Sequence, residues 1–210
     1  MIKICVVDDH AVVREGLKRI IAENEGMAVT AEAGDGFEAM RVLQSEPCDV
    51  VLLDITMPNR NGLDVLKQLH TEKPKLPVLV LSMHSEDQYA VRVLRAGAAG
   101  YLTKESAPVK LVQAIRKVVR GGKYVSTSLA ERLVFDLDGK SSKAPHEILS
   151  DREYQVLCMI GSGKTVTIIA TELGLSVKTI STYRVRILEK LNMKNNAELT
   201  RYAIKEGLVD

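Results

Sequence analysis

Short apolar runs alternate with segments of helical period along the first half of the chain. The runs Ile2–Val7, Met27–Ala33, Val50–Leu53, Val78–Leu81 and Gly100–Leu102 are too short for buried helices and the right length for strands covered on both faces. Between them Val12, Val13, Leu17, Ile20 and Ile21 share one helical face. Ala39, Val42 and Leu43, then Leu63, Leu66 and Leu69, then Val91, Leu94 and Ala96 repeat the pattern, and Leu111, Val112, Ile115, Val118 and Val119 mark a fifth helix. Five strands and five helices in strict alternation predict right-handed crossovers and an α/β domain with an open, doubly wound, five-stranded parallel sheet.

The alternation stops at Gly121-Gly122. Ser128–Phe135 has the pattern of one helix, and DLDGKSSKAPHE after it lacks apolar periodicity and reads as a linker. Residues 123–147 are therefore expected to join a domain at 1–122 to a smaller all-α domain at 148–210. In the latter the predicted helices are Asp151–Ile160, Val166–Leu173, Ser176–Leu191 after a break at Gly174, and Ala197–Glu206 closed by Gly207. Ser150 with Glu153 forms a capping box, and Ser176 is a second N-cap.

Composition is ordinary for a globular chain, at 46% hydrophobic and 27% charged residues. This excludes collagen-like, disordered and disulfide-scaffold classes. No stretch approaches a membrane span and the N-terminus lacks a signal-peptide pattern, so a cytoplasmic chain without membrane contact is expected. Cys5, Cys48 and Cys158 are far apart and read as reduced core thiols. Charge is uneven: residues 1–147 carry 20 Lys/Arg against 20 Asp/Glu, whereas 148–210 carry 9 against 7. Lys178, Arg184, Arg186, Lys190 and Lys194 face only Glu189 within Ser176–Lys194, a candidate polyanion contact.

Ligands of open α/β sheets bind beyond the carboxyl ends of the strands. Those ends carry Asp8-Asp9, Asp54, Ser82 and, after Tyr101-Leu102-Thr103, Lys104. Three carboxylates at one rim repel unless a cation joins them, and hard oxygen donors with room for water and phosphate suit Mg²⁺. With Lys104 as a second positive charge and Ser82 as a hydroxyl donor, the rim has the parts for phosphoryl transfer to Asp54.

VVDDH, VLLDITMPNRNGLDVL, VLSMH and AGAAGYLTK resemble the signatures of the bacterial response-regulator receiver domain, over about 120 residues. The resemblance implies a flavodoxin-like receiver with Asp54 as phospho-acceptor. Mg²⁺ would be held by Asp9, Asp54 and the Thr56 carbonyl, and by Asp8 through water. It also implies that Ser82 moves toward the phosphoryl group while Tyr101 turns inward, that Pro58 shapes the acceptor loop, and that Thr56 and His84 tune hydrolysis.

Val166–Leu173, a turn over Gly174 and a basic helix from Ser176 fit a helix-turn-helix whose second helix enters the major groove by its N-terminal part. Lys178, Thr179, Ser181, Thr182 and Arg184 or Val185 would face DNA, with Ile180, Ile187, Leu188 and Leu191 inward. LSDREYQVL, IIATELGLSVKTIS and YRVRILEKLNM resemble the LuxR-type DNA-binding domain of the NarL/FixJ class of two-component regulators. Departures are Val166, Thr167 and Ile168, where Asn, Lys and Glu are frequent, and Tyr183, where His is. Tyr183 and Arg186 complete the expected DNA-facing set, and the resemblance makes the last helix, with Leu199, Tyr202 and Ala203, the expected dimer surface. GSGKT at 161–165 mimics a P-loop, but Cys158 stands where its first glycine is required and a helix precedes it. Helix capping explains the glycines, and Lys164 can meet a DNA phosphate.

The resulting expectation is a response regulator phosphorylated on Asp54 by a histidine kinase in an Mg²⁺-dependent step, which controls homodimerisation and binding to double-stranded DNA. It is not expected to be a turnover enzyme beyond autodephosphorylation. A phosphatase using Asp8 or Asp54 lacks a substrate pocket or cap insertion in the sequence. A signalling adaptor with a protein-binding helical domain would lack a steep salt dependence on DNA.

Overall fold

The computed structural model describes residues 1–83, 86–127, 129–131 and 144–209, and at 86–88 the backbone alone. The chain divides into two compact units, Met1–Glu131 and Arg132–Asp210. His84, most of the helix expected over Ser128–Phe135 and most of the expected linker lie outside the described residues; 129–131 are helical.

In the first unit, β1 (Ile2–Val7), β2 (Met27–Ala33), β3 (Val50–Asp54), β4 (Val78–Ser82) and β5 (Gly100–Thr103) form one sheet in the order β2-β1-β3-β4-β5. All pairings are parallel. The helices α1 (Ala11–Ala22), α2 (Gly36–Ser45), α3 (Gly62–Glu72), α4 (Glu86–Arg95) and α5 (Ala107–Val119) alternate with the strands. β3 and β4 are buried along their whole length, which is why they read as unbroken apolar runs. On one face Val6, Leu52, Leu81 and Leu102 pack with Leu17 and Ile21 of α1 and Leu111 and Ile115 of α5. Past Gly122 the chain stays with this unit: Tyr124 bridges to Gly100 beside β5, and Leu129 is buried.

The second unit is helical. A 3-10 turn at Pro145–Ile148 precedes α6 (Asp151–Gly161), α7 (Val166–Leu173), α8 (Val177–Lys190) and α9 (Asn196–Lys205). Both halves of the Ser150–Glu153 capping box are formed at the start of α6. Helix α6 is the hub, buried from Glu153 to Gly161 and packed against α8 and α9. The P-loop-like segment is a helix ending: Ser162 is the C-cap and Gly163 takes a left-handed φ of 80°.

Cys5 and Cys158 are core thiols as expected, but Cys48 is only half-buried. It lies outside the packed core, two residues before β3. Burial pushes the Cys5 thiol up to about 12 and the Cys48 thiol to about 11, so both stay protonated at neutral pH. Among the described residues no helix is long and apolar enough to cross a membrane.

Candidate functional site

Parallel pairing brings the carboxyl ends of β1, β3, β4 and β5 to one rim. Val7 is opposite Leu53, Asp54 opposite Leu81, and Ser82 opposite Thr103. The next residues along β1 and β5 are Asp8 and Lys104. Lys104 Nζ lies 2.7 Å from Asp8 Oδ2 and 2.7 Å from Asp54 Oδ2, and the Lys104 N–H donates to the Ser82 carbonyl at 2.8 Å. Asp8, Asp54 and Ser82 are buried. The Thr56 N–H donates to Asp54 Oδ1 at 3.1 Å, fixing the carboxylate from its other side.

The loop that follows packs tightly against the acceptor. Asn61 caps α3 by accepting from the Leu63 N–H, and the Gly62 N–H donates to the Ile55 carbonyl at 3.0 Å. A Cβ at Gly62 would stand 1.9 Å from the Asp54 carbonyl oxygen, so only glycine fits beside the backbone of the acceptor.

Burial pushes the Asp54 carboxyl up to about 6; Lys104 pulls it down, Asp8 pushes it further up, and the Thr56 N–H draws it down. Burial works against the Lys104 ammonium, but Asp54 and Asp8 outweigh it and raise its pKa. One ammonium shared by the Asp8 and Asp54 carboxylates leaves an excess of negative charge. Asp8 Oδ2 and Asp9 Oδ1 are buried without an aligned hydrogen-bond donor; Lys104 Nζ makes an ionic contact with the first at 2.7 Å and the His10 imidazole lies 2.9 Å from the second. Buried carboxylates that outnumber their cations are costly unless a further cation meets them. The donor set therefore fits a small dication held by Asp8, Asp9 and Asp54.

The rim assembles Asp8, Asp9, Asp54, Thr56, Ser82 and Lys104. Tyr101 is completely buried and points inward on β5. Two participants had been assigned no role from the sequence. Arg14 donates from Nη1 to the Asp8 carbonyl at 2.7 Å, and His10 Nδ1 is 2.9 Å from Asp9 Oδ1. His10 stood in the VVDDH string, adjacent to the carboxylates, but adjacency in sequence does not reveal where a side chain turns.

In the second unit, α7 ends at Gly174, whose φ of 63° turns the chain into α8. Ser176 Oγ caps α8 by accepting from the Thr179 N–H at 3.0 Å. Ile180 and Ile187 are wholly buried, which leaves Lys178, Ser181, Thr182 and Val185 exposed along one stripe and Arg186 exposed beside it. Thr179, Tyr183 and Arg184 are half-buried. Arg184 Nε hydrogen-bonds Asn196 Oδ1, so Val185 rather than Arg184 continues the exposed stripe. Lys164 pairs with Glu172 at 2.6 Å and Lys190 with Glu153 at 2.6 Å. Among the described residues no carboxylate pairs with Lys178 or Arg186.

The expected dimer residues need correction. Leu199 and Ala203 are wholly buried, because the inner face of α9 is the one packed on α6; a Cβ at Gly161 would lie 2.7 Å from the Ala203 Cβ. Neither side chain is on a surface. Tyr202 is half-buried, with its hydroxyl 2.9 Å from His146 Nδ1. The exposed residues of α9 include Arg201, Ile204 and Lys205.

Residues 4–116 match the response regulator receiver domain family, and residues 147–203 match the bacterial regulatory proteins of the luxR family. Response regulator GacA of Pseudomonas protegens is 41% identical over 210 residues, spanning 100% of this chain and 99% of its own. Response regulator UvrY of Escherichia coli K12 is 37% identical over 209 residues, spanning 99% and 96%. A solved structure of two RcsB dimers bound to two parallel DNAs aligns with a TM-score of 0.59 at 27% identity, over 96% of this chain and 97% of that one. The chain belongs to the two-component response regulators of the NarL/FixJ class, transcription factors that join a receiver domain to a LuxR-type helix-turn-helix DNA-binding domain.

Proposed function

We propose that a partner histidine kinase phosphorylates Asp54 in an Mg²⁺-dependent step and that this modification controls homodimerisation and sequence-specific DNA binding. The carrying observation is Lys104 bridging Asp8 and Asp54 at 2.7 Å each. The ammonium keeps Asp54 Oδ2 anionic despite burial and holds it at the rim. A carboxylate oxygen of Asp54 attacks phosphorus in line, the bond from phosphorus to the donor nitrogen breaks, and the donor imidazole takes a proton. Lys104 is placed to follow the charge onto a phosphoryl oxygen, and the Ser82 hydroxyl to donate to another. Asp8, Asp9, Asp54 and the Thr56 carbonyl would hold the Mg²⁺ ion, which supplies charge neutralisation on the phosphoryl oxygens. Loss of the Lys104–Asp54 contact on phosphorylation, with Ser82 and Tyr101 as the responding residues, biases the receiver between two populations. Autodephosphorylation, with Thr56 and His84 tuning it, resets the site.

In the second domain Lys178, Ser181, Thr182 and Arg186 are the first contacts to DNA, with Thr179, Tyr183, Arg184 and Lys164 at the margin. Lysine and hydroxyls at the N-terminal turns of α8 suit phosphate oxygens and the helix macrodipole. The solved structure of two RcsB dimers bound to two parallel DNAs supports DNA as the partner of this domain. Pairing of two DNA-binding domains would use exposed α9 residues such as Ile204, with Tyr202 at the edge.

The experiment compares wild type and Asp54→Asn, each treated with a small-molecule phosphodonor and Mg²⁺, by intact-mass spectrometry and by operator binding. A base-labile phosphoryl adduct and tighter DNA binding are expected in wild type alone. Equal responses in both proteins would remove Asp54 from its role.

A further inference from the structure

Helix α1 starts with an unusual residue. The N-cap position favours Ser, Thr, Asp or Asn, whose side-chain oxygen accepts from N–H groups of the first turn. Here the N-cap is His10, and its side chain makes no capping hydrogen bond. The imidazole turns to the carboxylates instead. Nδ1 lies 2.9 Å from Asp9 Oδ1 and 3.4 Å from Asp8 Oδ1, while the His10 N–H donates to Asp8 Oδ1 at 2.9 Å. One ring nitrogen of His10 and one carboxylate oxygen each from Asp8, Asp9 and Asp54 all lie within 4.8 Å of one another.

These separations are those of donors around a single small dication. Adjacent corners of an octahedron with bonds of about 2.1 Å are about 3 Å apart and opposite corners about 4.2 Å. The contacts from His10 to Asp9 and Asp8 match adjacent corners, and the whole cluster needs only slight contraction. We propose that His10 Nδ1 is a ligand of the divalent ion at the Asp8, Asp9 and Asp54 rim, so that the site selects first-row transition-metal dications such as Mn²⁺ over Mg²⁺ more strongly than a carboxylate-only rim. The proposal rests on reading that rim as an ion site.

Donor chemistry sets the preference. Carboxylate, carbonyl and water suit Mg²⁺ and Mn²⁺ alike, whereas imidazole suits the later first-row metals; affinity for mixed nitrogen and oxygen sites climbs from Mn²⁺ upward, so a bound imidazole adds to Mn²⁺ binding and adds more for the metals after it. Mg²⁺ sheds water reluctantly and is satisfied by one or two carboxylates, so exchanging a water for an imidazole gains it little. The His10 side chain is 64% exposed, which lets the ring close on an ion without moving the core.

Full-length wild type and His10→Gln are titrated separately with Mn²⁺ and Mg²⁺ by calorimetry, and the Mn²⁺-loaded proteins are measured by pulsed electron paramagnetic resonance. Wild type shows modulation from a directly bound nitrogen, and His10→Gln does not. The variant binds Mn²⁺ about tenfold more weakly, while its Mg²⁺ affinity changes less than about threefold. A wild-type spectrum without nitrogen modulation, or equal weakening of both ions in His10→Gln, overturns ligation and leaves the imidazole as an ionic partner of Asp9. Asp9→Asn separates the two levels of the argument. If it keeps wild-type Mn²⁺ affinity, the ion is elsewhere and the rim reading fails; if it loses the ion while wild type lacks the nitrogen signal, only the role of His10 fails.

Discussion

Lys190 Nζ lies 2.6 Å from Glu153 Oε2, tying the last turn of the recognition helix α8 to the first turn of α6. The carboxylate side chain is 3% exposed and the lysine 40%, so the anion depends on its partners while the cation is within reach of water. Glu153 also accepts from the Ser150 N–H at 2.7 Å. One carboxylate thus closes the capping box and orients the helix proposed to read DNA.

Lys190→Met should destabilise the helical domain by about 1–2 kcal/mol, since the buried carboxylate keeps Ser150 but loses its counter-ion, and the exposed lysine end limits the cost. Burial raises the Glu153 pKa, but Lys190 and Ser150 more than offset this and leave it lowered. Its folded value is below its unfolded value, so its contribution is present above the unfolded pKa of about 4.3 and is lost as pH falls through the folded one. Urea melts of wild type and Lys190→Met at pH 7 and pH 3 check this: the gap between them should narrow at the lower pH.

Asp54 has the opposite sign. Its folded pKa of about 6 exceeds an unfolded value of about 3.9, so the metal-free receiver gains stability as pH falls through 6, and the gain is complete below the unfolded pKa. The full gain is about 3 kcal/mol. Chelator-treated wild type should therefore be more resistant to denaturant at pH 5 than at pH 7 relative to Asp54→Asn, whose neutral amide cannot titrate. A pH dependence identical in both proteins would contradict the assignment.

Lys104→Met leaves Asp8 and Asp54 buried without their shared cation. Metal-free stability should fall by about 3–5 kcal/mol. Added Mg²⁺ should then raise the melting temperature of Lys104→Met by more than it raises that of wild type, because a ligand that binds the folded state also replaces the missing charge. Thermal melts with and without Mg²⁺ measure both effects.

Gly62→Ala places a methyl group on the Asp54 carbonyl oxygen. Relief requires movement of backbone at the acceptor, costing about 3 kcal/mol and slowing phosphoryl uptake. Phosphorylation rates from a small-molecule donor would show the loss, whereas Gly16→Ala, with nothing within 4 Å of the added carbon, should behave as wild type.

On DNA, Lys178→Ala should reduce the slope of log affinity against log salt by about 1, the signature of one phosphate contact. Lys164→Ala should change the slope less, because Glu172 already holds that ammonium. Fluorescence anisotropy across a salt series distinguishes them.

Much of the fold was legible because burial on both faces leaves a one-dimensional trace. β3 and β4, covered on both sides, show as unbroken apolar runs, and Ser150 with Glu153 announces its helix through a purely local hydrogen-bonding pattern. The acidic rim was legible for a related reason. In a parallel sheet every strand delivers its last residue to the same edge, so Asp8, Asp54 and Lys104 could be placed together before any contact was known. Failures came where a side chain had two possible faces. Leu199 and Ala203 have the apolar character of an interface and of a core alike, and the close approach of Gly161 to α9 decided for the core.

The sequence by itself determined the strand and helix alternation, the convergence of carboxylates at one rim, and the basic character of α8, since each follows from periodicity, composition or chain order. Only the tertiary structure decided which charges were already spent. Lys164 on Glu172, Lys190 on Glu153 and Arg184 on Asn196 are pairings between side chains with several rotamers each. Their outcome depends on distances of a few ångströms set by packing, which residue order alone does not encode.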